Sequence, residues 1–100
     1  MNKLSALVEL RCMLLEMERD IGLSDLSTTE RDVFLAAHAL SKEGGEAVSS
    51  DRIRRHALVA DLAQATYHRA LRSLVGSGLI EKAAGYKSRH YVVRGDLTGS

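Results

Sequence analysis

The sixteen residues from Ala65 to Ile80 limit the fold of this chain more than any other stretch. They read Ala65-Thr66-Tyr67-His68-Arg69-Ala70-Leu71-Arg72-Ser73-Leu74-Val75-Gly76-Ser77-Gly78-Leu79-Ile80. At about 100° per residue, Tyr67, Ala70, Leu71, Leu74 and Val75 gather on one side of a helix. Ala65, Arg69, Arg72 and Ser73 gather on the other. Such a helix buries one face and offers small, polar and cationic groups on the opposite one. The glycines of Gly76-Ser77-Gly78 stop it, and the apolar Leu79-Ile80 begins a strand.

Other capping signals divide the rest of the chain. Residues 2–21 read as a long first helix, in which Leu7, Leu10, Leu14, Met17 and Ile21 follow the 3-4-3-4 spacing of a coiled-coil seam. Leu4, Val8 and Leu15 widen its apolar arc to about half the circumference. Gly22 is the expected stop. Arg11 and Glu18 fall inside that arc and are expected to pair, within one chain or across two. Ser27-Thr28-Thr29-Glu30 is a capping-box pattern that starts a second helix, running to about Leu40. Val33, Ala36, Ala37 and Leu40 form its inner face, with Phe34 at the edge and Leu35 nearly opposite. Ala47-Val48 suits a very short strand. Ser49-Ser50-Asp51 begins a third helix carrying Arg52, Arg54 and Arg55. Asp61 and Gln64 read as N-cap and N3 of a fourth helix over 62–76. Leu79–Ala83 and Arg89–Arg94 then form a hairpin through Ala84-Gly85-Tyr86-Lys87-Ser88, with Tyr91 and Val93 on its core face. The expected fold is mainly α with a small β-hairpin, an α+β domain. Residues 1–22 form a dimerisation helix, residues 23–94 the domain proper and residues 95–100 a loose tail.

Charge is segregated. The formal net charge is only +1, yet residues 1–50 carry five Lys/Arg against nine Asp/Glu, and residues 51–94 carry nine against three. The basic half contains the amphipathic stretch that begins at Ala65. A basic half of this kind is a footprint of polyanion binding, or else a solvated face that happens to be basic. No apolar run approaches the ~20 residues that span a bilayer. Glu9, Glu16, Glu18 and Asp20 interrupt any signal-peptide pattern, so a cytoplasmic protein is expected. One cysteine, Cys12, allows no internal disulfide and reads as a small apolar packer.

Nothing resembles a Ser-His-Asp, Cys-His or paired-carboxylate centre, and no glycine loop is built to cradle phosphate. Cys12, His38, His56, His68 and His90 lack the close paired spacing of a zinc site. Neither an enzyme nor a cofactor or metal is expected. The basic face suits a DNA major groove instead, because small residues permit close approach and guanidiniums reach guanine edges or phosphates. Arg69 and Arg72, one turn apart, are the first candidates for DNA contact. Gln64, Ala65, Thr66, His68 and Ser73 are their neighbours. Arg54 and Arg55, with Arg52, are candidates for phosphate contact. Lys87 and Arg89 occupy the hairpin tip, beside Tyr86.

The order helix, helix, short strand, helix, helix, hairpin from Ser27 to Arg94 resembles a winged helix-turn-helix domain. Thr66-Tyr67-His68-Arg69-Ala70-Leu71-Arg72-Ser73-Leu74, followed by Gly78-Leu79-Ile80, is similar to the recognition helix and strand start of bacterial regulators of the multiple antibiotic resistance regulator (MarR) group, here without their C-terminal helices. The resemblance covers about two-thirds of the chain. It implies double-stranded DNA binding by the fourth helix and the wing over 80–94, as a dimer. The segment Leu58–Leu62 is about two residues longer than a compact helix-turn-helix turn. A 100-residue core covers one stripe of a helix, not half its circumference. Leu4, Leu7, Leu10, Arg11, Leu14, Met17, Glu18 and Ile21 are therefore the expected homodimer contacts. The alternative is a winged-helix protein–protein adaptor without DNA binding, docking through the first helix, and either reading leaves room for a regulatory protein partner.

Overall fold

A computed structural model describes residues 2–41, 46–83, 85 and 89–93. The expected wing positions Lys87, Tyr86 and Arg94, and the expected tail, lie outside the described residues. The described chain is mainly helical with a small three-stranded antiparallel sheet, an α+β arrangement.

Helix α1 spans Lys3–Asp20 and α2 spans Thr28–Leu40. Asn2 caps α1 by accepting from the Ser5 N–H at 2.8 Å. The chain leaves α1 through a Schellman turn. The Leu23 N–H donates to the Glu18 carbonyl at 2.7 Å, and the Gly22 N–H to the Arg19 carbonyl at 3.2 Å. Gly22 sits at φ +81°, where a side chain would be strained. Leu23, next in line, is buried and pins the end of α1 to the body. The capping box of α2 forms as its sequence pattern suggests. The Glu30 N–H donates to Ser27 Oγ at 3.1 Å, and the Ser27 N–H donates back to Glu30 Oε1 at 2.8 Å.

Strand β1, Val48–Ser49, runs straight into α3, Ser50–Arg55, which Ser49 caps through the Arg52 N–H. Helix α4 spans Gln64–Gly76, β2 spans Ile80–Lys82 and β3 spans His90–Val93. The strand order is β1-β3-β2, so the expected hairpin is one side of a three-stranded sheet. Val48 pairs with Tyr91, and Ile80 with Val93. This register turns Val48, Ile80 and Val93 inward, all buried, while Tyr91 packs half-buried at the core's edge. A second Schellman turn ends α4, with the Leu79 N–H on the Leu74 carbonyl at 3.1 Å and Gly78 at φ +84°.

The core is built from Val33, Phe34, Ala36 and Ala37 of α2, Ile53 of α3, and Tyr67, Ala70, Leu71 and Leu74 of α4. Val59, from the turn between α3 and α4, joins them. Phe34, expected at an edge, is fully buried, whereas Leu40 is only half-buried. The inner face of α2 is therefore centred on Val33, Phe34, Ala36 and Ala37, with Leu40 at its margin.

Three local expectations are corrected. Helix α4 starts two residues late: Ala63 is its N-cap, with no side-chain hydrogen bond, and Asp61 caps nothing. The cause is the turn before it. His56, Val59, Ala60 and Leu62 are tied by successive backbone bonds, Val59 N–H and Ala60 N–H to the His56 carbonyl and Leu62 N–H to the Val59 carbonyl, so the chain is still turning where the cap should be. Helix α3, expected to continue through His56-Ala57-Leu58, ends at Arg55 for the same reason. Third, Arg11 and Glu18 do not pair within the chain. Two helical turns separate them by ~10 Å of rise, and Glu18 instead meets Arg31 of α2 at 2.6 Å.

Candidate nucleic-acid interface

Helix α4 is held by its buried face. Tyr67 is wholly buried, yet its hydroxyl is satisfied: it donates to the Ser50 carbonyl at 3.1 Å and shares a 2.9 Å bond with Ser50 Oγ. Burial pushes the phenol above its usual pKa, with the Ser50 bond opposing that shift. Ser50 is the first residue of α3, so this one contact locks the starts of α3 and α4 together. The Ser50 N–H also donates to the Arg89 carbonyl at 2.7 Å, which ties the hairpin to the same point.

With that face fixed, the opposite face of α4 is fixed too. Gln64, Ala65, Arg69 and Arg72 are exposed along one ridge. Thr66 and Ser73 flank it on the side of α2, and His68 on the side of the sheet. Two shallow grooves follow. The first runs between α4 and the start of α2, lined by Thr66, Arg69, Ala70 and Ser73 against Thr29 and Glu30. The second runs between α4 and the sheet, lined by His68, Arg72 and Val75 against Lys82 and Tyr91. Arg69 and Arg72 thus stand one above each groove.

The remaining expected residues divide. Ser73 is exposed but its hydroxyl donates to the Glu30 carboxylate, so it braces α4 against α2. The bonds from Ser73 Oγ and from the Ser27 N–H and hydroxyl hold the Glu30 carboxyl below its ordinary pKa range. Arg54 is spent internally. Its guanidinium donates to the carbonyls of Val59 at 3.1 Å, Ala60 at 3.3 Å and Leu62, and lies 5.5 Å from the Tyr67 ring centre. It fastens the turn before α4 and is set apart from the free cations. Arg52 and Arg55 are exposed on α3. Arg89 is exposed, with φ +76°, and borders a third hollow with Asp51, Gln64 and His68 at the N-terminus of α4. His68 lies edge-on to the Tyr67 ring, with centroids 5.1 Å apart.

Lys82 was not singled out from the sequence. It follows exposed Glu81 at the end of a three-residue strand, and only the pairing of Lys82 with Tyr91 in the sheet brings it to the groove of Arg72. The spacing between residues 72 and 82 carries no local signal for this.

Among the described residues, no group of three or more His, Cys, Asp or Glu is placed to hold a metal ion. Nor is any described helix long and apolar enough to cross a membrane. Cys12 is a free, exposed thiol on α1. No family model, curated protein or solved structure matches this chain.

Proposed function

We infer that this protein binds double-stranded DNA sequence-specifically and regulates transcription as a homodimer, with α4 as the reading helix of a winged helix-turn-helix and β2–β3 as its wing. The observation that carries this reading is the exposed ridge of α4. Small Ala65 and polar Gln64 permit approach to base edges, while Arg69 and Arg72 project one turn apart above two grooves. An arginine can give two hydrogen bonds to guanine O6 and N7 or clamp a phosphate. Lys82 supports the reading from outside the helix, because it adds a cation across the groove from Arg72 where a phosphate strand would run. The element order, with β1 joining the hairpin as a third strand, is in keeping with the MarR-like resemblance drawn from residues 66–80.

On this reading the fixed parts are Tyr67, Ser50 and Arg54, which set the angle of α4, and the free parts are Arg69, Arg72, Thr66 and His68. Arg52, Arg55 and Arg89 are left for phosphates. Two such helices in a dimer would enter successive major grooves ~34 Å apart.

The test is a fluorescence-anisotropy titration of a random duplex pool at two salt concentrations. The reading expects micromolar or tighter binding that falls steeply with salt, since each neutralised phosphate releases counterions. Absent binding at low salt would overturn it and favour the adaptor, whose docking surface would be α1.

A further inference from the structure

Helix α1 has an apolar surface that its own chain leaves uncovered. None of its residues is buried, and eight large apolar side chains on it, from Leu4 to Met17, are each 51–72 % exposed. Together they hold on the order of 800 Å² of exposed side-chain surface, the amount each partner brings to a standard interface. A surface this size on a short helix is a partner site rather than ordinary exposed leucines.

The surface does not stop at α1. A groove between α1 and α2 is lined by Leu14 and Leu15 on one wall and Leu35 on the other, with Leu58 beside it. Leu58, in the turn after α3, is 48 % exposed. Part of the rim of this groove is paired within the chain. Glu18 is bonded to Arg31, and Asp32, whose carboxyl burial lifts above its ordinary pKa, lies beside Arg31 and Arg11. Between these charges the groove offers an occupant a stripe of apolar side chains.

We propose that the occupant is α1 of a second copy of this chain, lying antiparallel to the first. The charge pattern along the helix selects both identity and direction. Residues 3–11 carry Lys3 and Arg11 against Glu9, a net positive half. With Glu18 taken by Arg31, residues 12–20 still carry Glu16 and Asp20 against Arg19, a net negative half. Antiparallel copies set each positive half on a negative one, whereas parallel copies set like on like along the whole length. The helix dipoles point the same way, because each positive N-terminus then meets the other copy's negative C-terminus. With the twofold axis at Cys12, Leu10 faces the partner's Leu14, Leu7 faces the partner's Met17, and Lys3 comes beside the partner's Asp20. The same leucines that fill the seam in one copy fill it in the other, as a twofold contact requires.

This arrangement sends the two bodies to opposite ends of the helix pair. Helix α1 has 18 residues, so its ends are separated by about 27 Å at 1.5 Å per residue. A parallel pair would put both bodies at one end. The proposal deepens the homodimer part of the function above and rests on it, but its test needs no DNA, so failure of DNA binding and failure of this pairing are told apart.

The experiment measures spin-label distances in the full-length dimer. One sample is labelled at the native Cys12. The other is labelled at Ser5→Cys in a Cys12→Ser background, a position on the exposed back of α1. Antiparallel pairing gives the residue-5 labels about 21 Å of offset along the axis and the Cys12 labels none. The expected result is a clearly longer distance at residue 5 than at Cys12, with both couplings abolished by Leu7→Glu/Leu14→Glu while helicity by circular dichroism is kept. Equal distances at the two positions would mean parallel helices and overturn the proposal. A monomeric mass by sedimentation for the unlabelled chain, or no dipolar coupling at either position, would overturn it as well.

Discussion

Helix α1 and the body that follows it obey opposite rules. In the body, large apolar residues are hidden with the exception of Leu58: the described core holds fourteen buried hydrophobic side chains, drawn from every described helix and strand after Gly22. In α1, 18 residues bury none. Both segments are rich in leucine, so composition does not separate them. What separates them is whether a second surface of the same chain stands opposite. Helix α4 has α2 on one side and the sheet on the other, and it can present a polar face only because its apolar face is consumed. Helix α1 has only the flank of α2 near its C-terminal half, joined by the Glu18–Arg31 bridge and by Leu23. The lesson is that an exposed apolar stripe and an exposed basic stripe on one small chain are two separate surfaces, each left open by how the core is filled.

Truncating one leucine in each region sets the two rules against each other. Leu74→Ala, at a fully buried position, is expected to cost ~2–5 kcal/mol in denaturant unfolding, from lost burial and the cavity left behind. Leu10→Ala, 54 % exposed, is expected to change the stability of dilute, monomeric chain by no more than ~0.5 kcal/mol. Comparable losses at the two sites would mean that α1 belongs to the core after all.

A middle-sized effect sharpens the account of how the body orients α4. Tyr67→Phe keeps the ring in place but removes the hydroxyl that satisfies the buried Ser50. The expected cost is ~1–3 kcal/mol, again by denaturant unfolding. It should be accompanied by faster amide exchange at the start of α3, where the Ser50 contact and the Arg89 carbonyl meet.

The smallest effect concerns pH at the contact between α2 and α4. The Glu30 carboxyl has a folded pKa below its unfolded one, so its contribution is fully present above the unfolded value and is lost as pH falls through the folded value. Glu30→Gln is therefore expected to be slightly less stable than wild type at neutral pH, with the difference closing in the acidic carboxylate range. Parallel stability–pH curves for the two proteins would contradict the bonds assigned to Glu30.

Much of the body was legible in the sequence because its signals are local. The Ser27–Glu30 capping box, the stripe Tyr67-Ala70-Leu71-Leu74 and the stops at Gly22 and Gly78 depend on neighbours within one or two turns. Strand β1 was legible as a short strand, but its place beside β3 was not, since pairing is decided by the whole register. Arg54 misled for a physical reason. In sequence it sits in a run of cations that reads as a basic face, and only the folded turn brings three carbonyls around it. That same turn silenced the Asp61 cap, and Arg31, thirteen residues away, took the Glu18 that spacing had assigned to Arg11. At the candidate interface, Arg69 and Arg72 were legible from periodicity alone, whereas Lys82 joins them through the sheet. The bond from Ser73 to Glu30 spans 43 residues, and no local pattern announces it.

One titration tests the division between the two interfaces most directly. A duplex selected by the wild-type protein is titrated with wild type, with Arg69→Ala/Arg72→Ala and with Leu7→Ser/Leu14→Ser, and the mass of each protein is measured in parallel. The arginine variant is expected to remain dimeric and to lose ~1–3 kcal/mol of specific binding for each arginine removed. The leucine variant is expected to become monomeric and to lose the gain from two linked half-sites, while its residual binding still falls with salt. An arginine variant that binds the selected duplex as tightly as wild type would contradict the central claim that α4 carries the reading face.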